Sequence, residues 1–76
     1  MTLQQLKYYC AVYECRNITK AARKNFVTQP AVTAAIRELE KEYAVRLIDK
    51  DGKYIRITRA GDRFYEYASQ MLTHAQ

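Results

Sequence analysis

The segment from Thr28 to about Tyr43 constrains the fold more than any other part of this chain. Thr28 is a good helix N-cap, and Pro30 falls in the first turn, where the missing N–H is not needed. On a helical wheel of about 100° per residue, the apolar side chains gather on one side. They are Val32, Ile36, Leu39 and Tyr43. We therefore expect a helix with one face buried in a core.

The opposite side of this helix carries Pro30, Ala34, Arg37 and Lys41, with Thr33 on one flank, Glu38 on the other and Gln29 in the first turn. Its N-terminal half is slim and uncharged except for Arg37. Small side chains permit close approach to the major groove of DNA, and Gln, Thr and Arg can hydrogen-bond to base edges. Small residues are also common on exposed helices, because Ala is a good helix former, so this face alone does not decide the function.

Two shorter helices are expected before this segment. Thr2 and Gln5 have the spacing of a capping box at the start of the first helix, and Asn17 is a plausible cap for a second helix over residues 18–25. Phe26 and Val27 then form a tight turn. Two helices separated by so short a turn, inside a basic domain, indicate a helix-turn-helix.

The hydrophobic pattern changes after this unit. Residues 46–48 and 54–58 are rich in β-branched and aromatic side chains, and the polar residues 49–53 between them include Gly52. This pattern predicts a β-hairpin, which would be the wing of a winged helix-turn-helix. From Ala60 onward the helical period returns.

We therefore predict a mainly α fold of three helices and a β-hairpin wing, followed by a long C-terminal linker helix. Residues 1–58 would form the winged helix-turn-helix domain, and residues 59–76 the linker and dimerisation helix. The third helix would span about residues 28–43, and the wing residues 48–58.

The charge balance suggests an anionic partner. Thirteen Lys and Arg face eight Asp and Glu, which gives a net charge of +5 and a pI near 9.4. Nucleic acid or an anionic membrane surface would fit this balance, and solubility alone is the plainer explanation. Five of the positive charges fall within fourteen residues in and after the hairpin, where contact with phosphate or the minor groove is natural.

Other classes of function find little support. The one histidine, His74, has no acid, base and nucleophile set around it, so we expect no enzyme, no cofactor and no metal site. Cys10 and Cys15 are too far apart on one helix for a disulfide and lack zinc spacing. We find no apolar run of about 18 residues and no signal peptide, so we expect a cytoplasmic protein with reduced thiols.

Several segments together resemble the N-terminal DNA-binding domain of LysR-type transcriptional regulators. They are LQQLKYY at residues 3–9, Ala21-Ala22, VTQPAVT at residues 27–33, IRELE at residues 36–40, Arg46-Leu47-Ile48 and ITRAG at residues 57–61. The resemblance covers nearly the whole chain without a gap. It implies a winged helix-turn-helix in a cytoplasmic bacterial regulator that binds double-stranded DNA in a sequence-specific way and controls transcription.

The resemblance also assigns roles by position. The base-reading residues would be Gln29, Pro30, Ala31, Thr33, Ala34 and Arg37, and the backbone and wing contacts would be Thr28, Lys41, Lys50, Lys53 and Arg56. Three positions depart from the family pattern. Ala34 stands where a long polar residue is frequent, Ile48 where Phe is usual, and Asn17-Ile18 where Ser-Phe is usual.

An apolar stripe on the last helix suggests self-association. Its residues are Phe64, Tyr65, Ala68, Met71, Leu72 and Ala75. By resemblance, the linker helix pairs with its symmetry mate, which gives a homodimer on a pseudo-palindromic operator and possible tetramers in a full-length protein. The stripe could instead fold back on its own chain. Full-length members also carry an effector-binding domain, which is absent here, so we expect a fragment or a natural truncation.

Two other interpretations stay open. A winged helix can serve as a protein-interaction module without base contacts, since fold alone does not fix function. An amphipathic membrane helix is weaker, because only Arg59 and Arg63 supply positive charge near the last helix.

Overall fold

Four helices and one antiparallel β-hairpin make up the fold. The computed structural model describes residues 1–51 and 54–75, with residues 51, 74 and 75 described through their backbone alone. The elements are α1 (Leu3–Cys15), α2 (Ile18–Lys24), α3 (Gln29–Tyr43), β1 (Ile48–Asp51), β2 (Tyr54–Ile57) and α4 (Arg59–Ala75). This mainly helical architecture with a hairpin wing confirms the predicted fold class.

Side chains cap the starts of the first three helices as the sequence predicts. Thr2 and Gln5 form a complete capping box at α1, and the Asn17 side chain accepts the backbone N–H of Lys20, 2.8 Å away, at α2. The Thr28 hydroxyl accepts the N–H of Ala31 at 3.3 Å. These bonds satisfy N–H groups that the first turn of a helix leaves free, so the element starts are encoded locally.

The core lies where α1 packs against the other three helices. Its largest fully buried side chains are Tyr9, Val12, Val32, Ile36, Leu39 and Leu47. Three of the four residues predicted as the buried face of α3 are among them. Tyr43 is the exception, with 42% of its surface exposed, because it is the last residue of the helix and reaches past the core.

The first strand of the hairpin extends further into the polar stretch than the sequence indicated. Asp49 and Lys50 belong to β1 rather than to the turn, and Ile48 pairs with Ile57 while Asp49 pairs with Arg56. Opposite charges directly across an antiparallel pair stabilise it, which offsets the low strand propensity of Asp. The predicted pivot, Gly52, lies outside the described residues.

Close backbone approach fixes the start of α4. The Tyr9 hydroxyl donates to the Gly61 carbonyl oxygen at 2.7 Å, and a Cβ atom added at Gly61 would lie 2.3 Å from the Leu47 carbonyl oxygen. Burial raises the pKa of Tyr9, because the charged phenolate would be poorly solvated there. Gly61 is thus the residue that lets α1, the hairpin and α4 meet.

A tyrosine clasp, which we define as Tyr13, Tyr65 and their partners Glu14 and Asp62, holds the next turns of α4 against α1. The rings of Tyr13 and Tyr65 stack with centroids 3.8 Å apart and planes 7° from parallel. The Tyr65 hydroxyl donates to Glu14 at 2.5 Å and the Tyr13 hydroxyl to Asp62 at 2.8 Å. The hydrogen bond to Glu14 raises the pKa of Tyr65 to about 12.

Candidate nucleic-acid interface

The outward face of α3 is open to solvent. Gln29, Pro30, Ala31, Ala34 and Arg37 are exposed, and Thr33 is half-buried. Pro30 stands in the first turn of the helix, as the sequence predicts. Pro30, Ala34 and Arg37 lie outside the core, as the helical wheel predicts.

A cleft of about 210 Å³ joins this face to the wing. Thr33 and Arg37 of α3 line it on one side and Lys50 of β1 on the other. Within the described part of the chain, no carboxylate forms an ion pair with Arg37 or Lys50. The fold therefore brings Lys50, distant in sequence, to the same concave surface as Thr33 and Arg37, which the Glu40–Arg46 ion pair also lines.

Glu40 fixes the distance between α3 and the wing. Its carboxylate accepts the backbone N–H groups of Leu47 at 2.8 Å and Ile48 at 3.3 Å, and it lies 3.8 Å from the guanidinium of Arg46. The side chain is mostly buried, with 16% exposed, so these charge-assisted bonds are shielded from water. The start of β1 is thereby tied to the third turn of α3.

A second cleft, of about 370 Å³, continues the concave surface past the N-terminus of α3. Gln29 lines it from α3, Lys50 and Tyr54 line it from the wing, and Arg16 and Thr19 line it from the start of α2. Lys50 thus stands between the two clefts. We call the combined surface the reading face, and define it by Gln29, Thr33, Arg37 and Lys50 with the side chains around them.

The remaining predicted backbone contacts lie around the reading face rather than in it. Thr28 is exposed and caps α3, and Lys41 is exposed one turn beyond Arg37 without lining either cleft. Arg56 is exposed on β2 opposite Asp49. Lys53 lies outside the described residues.

Six residues that line the second cleft were not predicted as contacts. They are Arg16, Asn17, Ile18, Thr19, Tyr54 and Ile55. Tyr54 is 74% exposed at the first position of β2. The alternation along this strand sets it on the same face as Arg56, and that alternation is the signal that the sequence carries. Arg16 and Thr19 flank the cap of α2, and only the packing of α2 beside the wing brings them to this surface.

The apolar stripe of α4 is divided between two uses. Ala68 is fully buried and packs against Leu6 and Cys10 of α1, and Phe64 packs edge-on against Tyr9. Tyr65 belongs to the tyrosine clasp. The expectation that these residues meet a partner is corrected for Ala68, whose surface is covered by its own chain because its helix turn faces α1. The Ala75 side chain lies outside the described residues.

A separate apolar groove of about 360 Å³ lies on the other side of α4. It is lined chiefly by Met1, Tyr43, Val45, Phe64, Tyr67 and Met71. Tyr67 is 67% exposed and Met71 36%. Leu72 is half-buried beside the α1–α4 contact. Large apolar side chains are thus left open along the C-terminal half of α4.

The described residues contain neither a metal-binding cluster nor a helix that could span a membrane. Over residues 1–51 and 54–75, no group of three His, Cys, Asp or Glu side chains is arranged to hold a metal ion. Cys10 and Cys15 are free thiols, and burial raises the pKa of Cys10 to about 11. None of the helices in those ranges is both long and apolar enough to cross a membrane.

Comparison with known proteins identifies the same architecture elsewhere. The family described as "Bacterial regulatory helix-turn-helix protein, lysR family" matches residues 3–62. The chain is 42% identical over 67 residues to the HTH-type transcriptional regulator CysL of Bacillus subtilis, which covers 88% of the chain and 22% of CysL. It is 35% identical over 74 residues to the regulator BenM of Acinetobacter baylyi, covering 97% of the chain and 24% of BenM.

Solved structures agree with these relatives. A crystal structure of the CbnR DNA-binding domain in complex with DNA superposes with a TM-score of 0.94 at 37% identity, over 99% of this chain and 86% of that one. The BenM DNA-binding domain with benA site 1 DNA gives a TM-score of 0.91 at 35% identity, over 99% and 84%. The chain spans about a quarter of the length of the two regulators it matches in sequence.

Proposed function

Because the chain belongs to the LysR family of bacterial regulatory helix-turn-helix proteins, we propose that it binds double-stranded DNA in a sequence-specific way as the DNA-binding part of a transcription regulator. In this proposal α3 enters the major groove with Gln29, Thr33 and Arg37 towards base edges. Pro30, Ala31 and Ala34 allow the close approach and offer carbon surface to thymine methyl groups.

The single observation that carries the proposal is the reading face. Gln29, Thr33 and Arg37 follow one another every fourth residue along α3, and they open onto clefts whose far wall carries Lys50. A helix side chain that reads a base needs a nearby cation to hold the adjoining phosphates, because phosphate contacts set the register of a protein on the duplex. Arg37 and Lys50, which have no ion-pair partner among the described residues, supply that attraction.

The wing and the helix ends hold the DNA backbone in this proposal. Lys50 and Arg56 project from the hairpin, while Thr28 and Lys41 stand at either end of the exposed side of α3. Contacts of this kind give affinity without sequence preference and depend steeply on salt, since each neutralised phosphate releases about 0.9 counterion.

Pairing of two chains completes the proposal. The apolar groove beside α4 leaves Tyr67 and Met71 open, and a second copy of the same helix is the occupant that covers both by symmetry. In this proposal Met71 and Tyr67 are the dimer residues of the groove, whereas Ala68 is buried in the chain's own core and Leu72 packs beside it. A two-fold pair presents two reading faces to half-sites about one helical turn apart or a multiple of it.

Selection of bound duplexes from a random pool tests this function directly. We expect enrichment of a pseudo-palindromic sequence, and a titration of the enriched duplex by fluorescence anisotropy should show log affinity falling linearly with log salt concentration. A pool that shows no enrichment, together with no affinity for any duplex, would overturn the proposal and favour a protein-interaction module.

A further inference from the structure

A stack on Tyr13 connects the second cleft to α4. The guanidinium carbon of Arg16 lies 4.6 Å from the centroid of the Tyr13 ring, and the Tyr65 ring stacks on the same Tyr13 ring with centroids 3.8 Å apart. Arg16 also lines the second cleft with Gln29, Lys50 and Tyr54. Arg16 thus lines the second cleft and also contacts Tyr13 of the tyrosine clasp.

The backbone holds Arg16 in an unusual conformation. Its φ is 53°, in the left-handed region that is unfavourable for residues with a Cβ atom. A glycine would fit this position, directly after α1, without that cost. Phe26 and Ala44 have similar φ values of 57° and 54°, and Ala44 ends α3 as Arg16 ends α1, so this conformation fixes where the Arg16 side chain starts and does not by itself indicate a role.

The hydrogen-bonding pattern of Arg16 leaves its outer end free. Nε donates to the Tyr13 carbonyl oxygen at 2.7 Å, which together with the ring contact sets the plane of the guanidinium. Among the described residues, neither terminal nitrogen has a hydrogen-bond or ion-pair partner. A guanidinium oriented in advance with two free N–H₂ groups is the geometry that binds a phosphate through two hydrogen bonds.

We propose that Arg16 binds a backbone phosphate of the DNA and that Tyr13, stacked on Tyr65, positions it for that contact. The proposal rests on the proposed function, since it names one more contact of the same reading face. Arg16 would hold the strand that passes between the start of α2 and the wing. The contacts from Arg16 to Tyr13 and from Tyr13 to Tyr65 link this phosphate site to α4, the helix that we propose pairs with a second chain.

Salt dependence of DNA affinity separates this role from a structural one. The test uses the whole chain and the duplex that the wild type selects. Arg16→Gln should reduce the slope of log affinity against log salt by about 0.9, the value for one phosphate, and should weaken binding roughly eightfold at about 0.1 M salt. The matched control is Lys7→Gln, which removes a charge from α1 at an exposed site that lines neither cleft of the reading face.

Variants of the positioning residue sharpen the test. Tyr13→Leu removes no charge, yet it should reduce the slope because the guanidinium loses its platform, and the double variant with Arg16→Gln should match Arg16→Gln alone. Tyr13→Phe keeps the ring and loses only the bond to Asp62, so its slope should equal that of the wild type. Thermal unfolding of each variant shows that the compared chains are folded.

The outcomes are distinct. If the wild type binds duplex and Arg16→Gln keeps the wild-type slope, or loses no more than Lys7→Gln, the phosphate contact is overturned while the proposed function stands. If Arg16→Gln behaves as expected but Tyr13→Leu keeps the full slope, the positioning role of the stack is overturned. A wild type with no affinity for any duplex overturns the proposed function itself.

Discussion

Arg37 and Lys41 stand one turn apart on the exposed side of α3, and we propose different DNA contacts for them because their surroundings differ. Arg37 lines the cleft shared with Thr33 and Lys50, whereas Lys41 lies beyond the cleft near the end of the helix. A guanidinium inside the groove can grip guanine O6 and N7 together, while an ammonium at its edge acts as a point charge on phosphate.

Replacing each of these residues by alanine should therefore give different results. Arg37→Ala should cost about 1–3 kcal/mol in binding and relax preference at one base position, because a base-specific pair is lost. Lys41→Ala should weaken all sequences about equally and lower the salt slope by about one. Affinities for a panel of single-base variants of the selected duplex measure both. A uniform loss for Arg37→Ala would identify it as a phosphate contact instead.

At the scale of elements, the stability that the contact between α1 and α4 contributes should depend on pH. The Tyr65 hydroxyl donates to Glu14, which raises the pKa of Tyr65 from 10.0 to about 12. The unfolded chain releases this proton near its ordinary pKa, and the folded chain holds it longer. The stabilisation from this bond is therefore complete below pH 10 and declines as pH rises towards 12.

Tyr65→Phe should expose this dependence. The difference in free energy of unfolding between wild type and Tyr65→Phe should be constant below pH 10 and shrink above it, because only the wild type titrates at this position. Urea unfolding at a series of pH values measures it. Tyr67→Phe, which removes an exposed hydroxyl from the same helix, is the control. A difference that stays constant through the alkaline range would contradict the assigned hydrogen bond.

The elements also show what the sequence could predict and what it could not. N-caps at Thr2, Asn17 and Thr28 are local chemistry, so the starts of the first three helices were predictable. The apolar stripe of α4 was equally clear, but periodicity does not say which surface covers it. Ala68 turned inward to α1 because that face meets Leu6 and Cys10. A pattern of spacing identifies a buried face without identifying its partner.

The two clefts could not be predicted from the sequence, for a related reason. Thr33 and Arg37 are predictable as one exposed flank of a helix, and Lys50 as part of a basic hairpin. Their convergence depends on Glu40, whose carboxylate ties the start of β1 to α3. Such a long-range bond leaves no periodic trace. Arg16 was missed for the same reason, since its role depends on a stack with residues of two helices.

At the scale of the whole molecule, the open apolar groove leads to a prediction about self-association. Met71→Glu places a charge where a second chain would cover it, and desolvating an unpaired carboxylate is costly. We expect dimerisation to weaken by at least about tenfold, which corresponds to roughly 1.4 kcal/mol. Analytical ultracentrifugation over a range of concentrations measures it.

Gln70→Glu is the matched control, since it adds the same charge one residue away on an exposed position that does not line the groove. It should associate as the wild type does. If both variants dimerise like the wild type, the partner surface lies elsewhere on the chain. A wild type that sediments only as a monomer at high concentration would refute pairing through this helix.

The buried carboxylate of Glu40 has a consequence for the nucleic acid rather than for the protein. This carboxylate ties α3 to the hairpin. The distance between the helix that would enter the major groove and the wing that would contact the DNA backbone is therefore set before DNA binds. The DNA must then change its shape to fit the protein. Its groove width and the energy needed to bend it depend on base steps that no side chain contacts. We therefore expect the DNA sequences that bind best to share flexible base steps at positions that the protein does not contact.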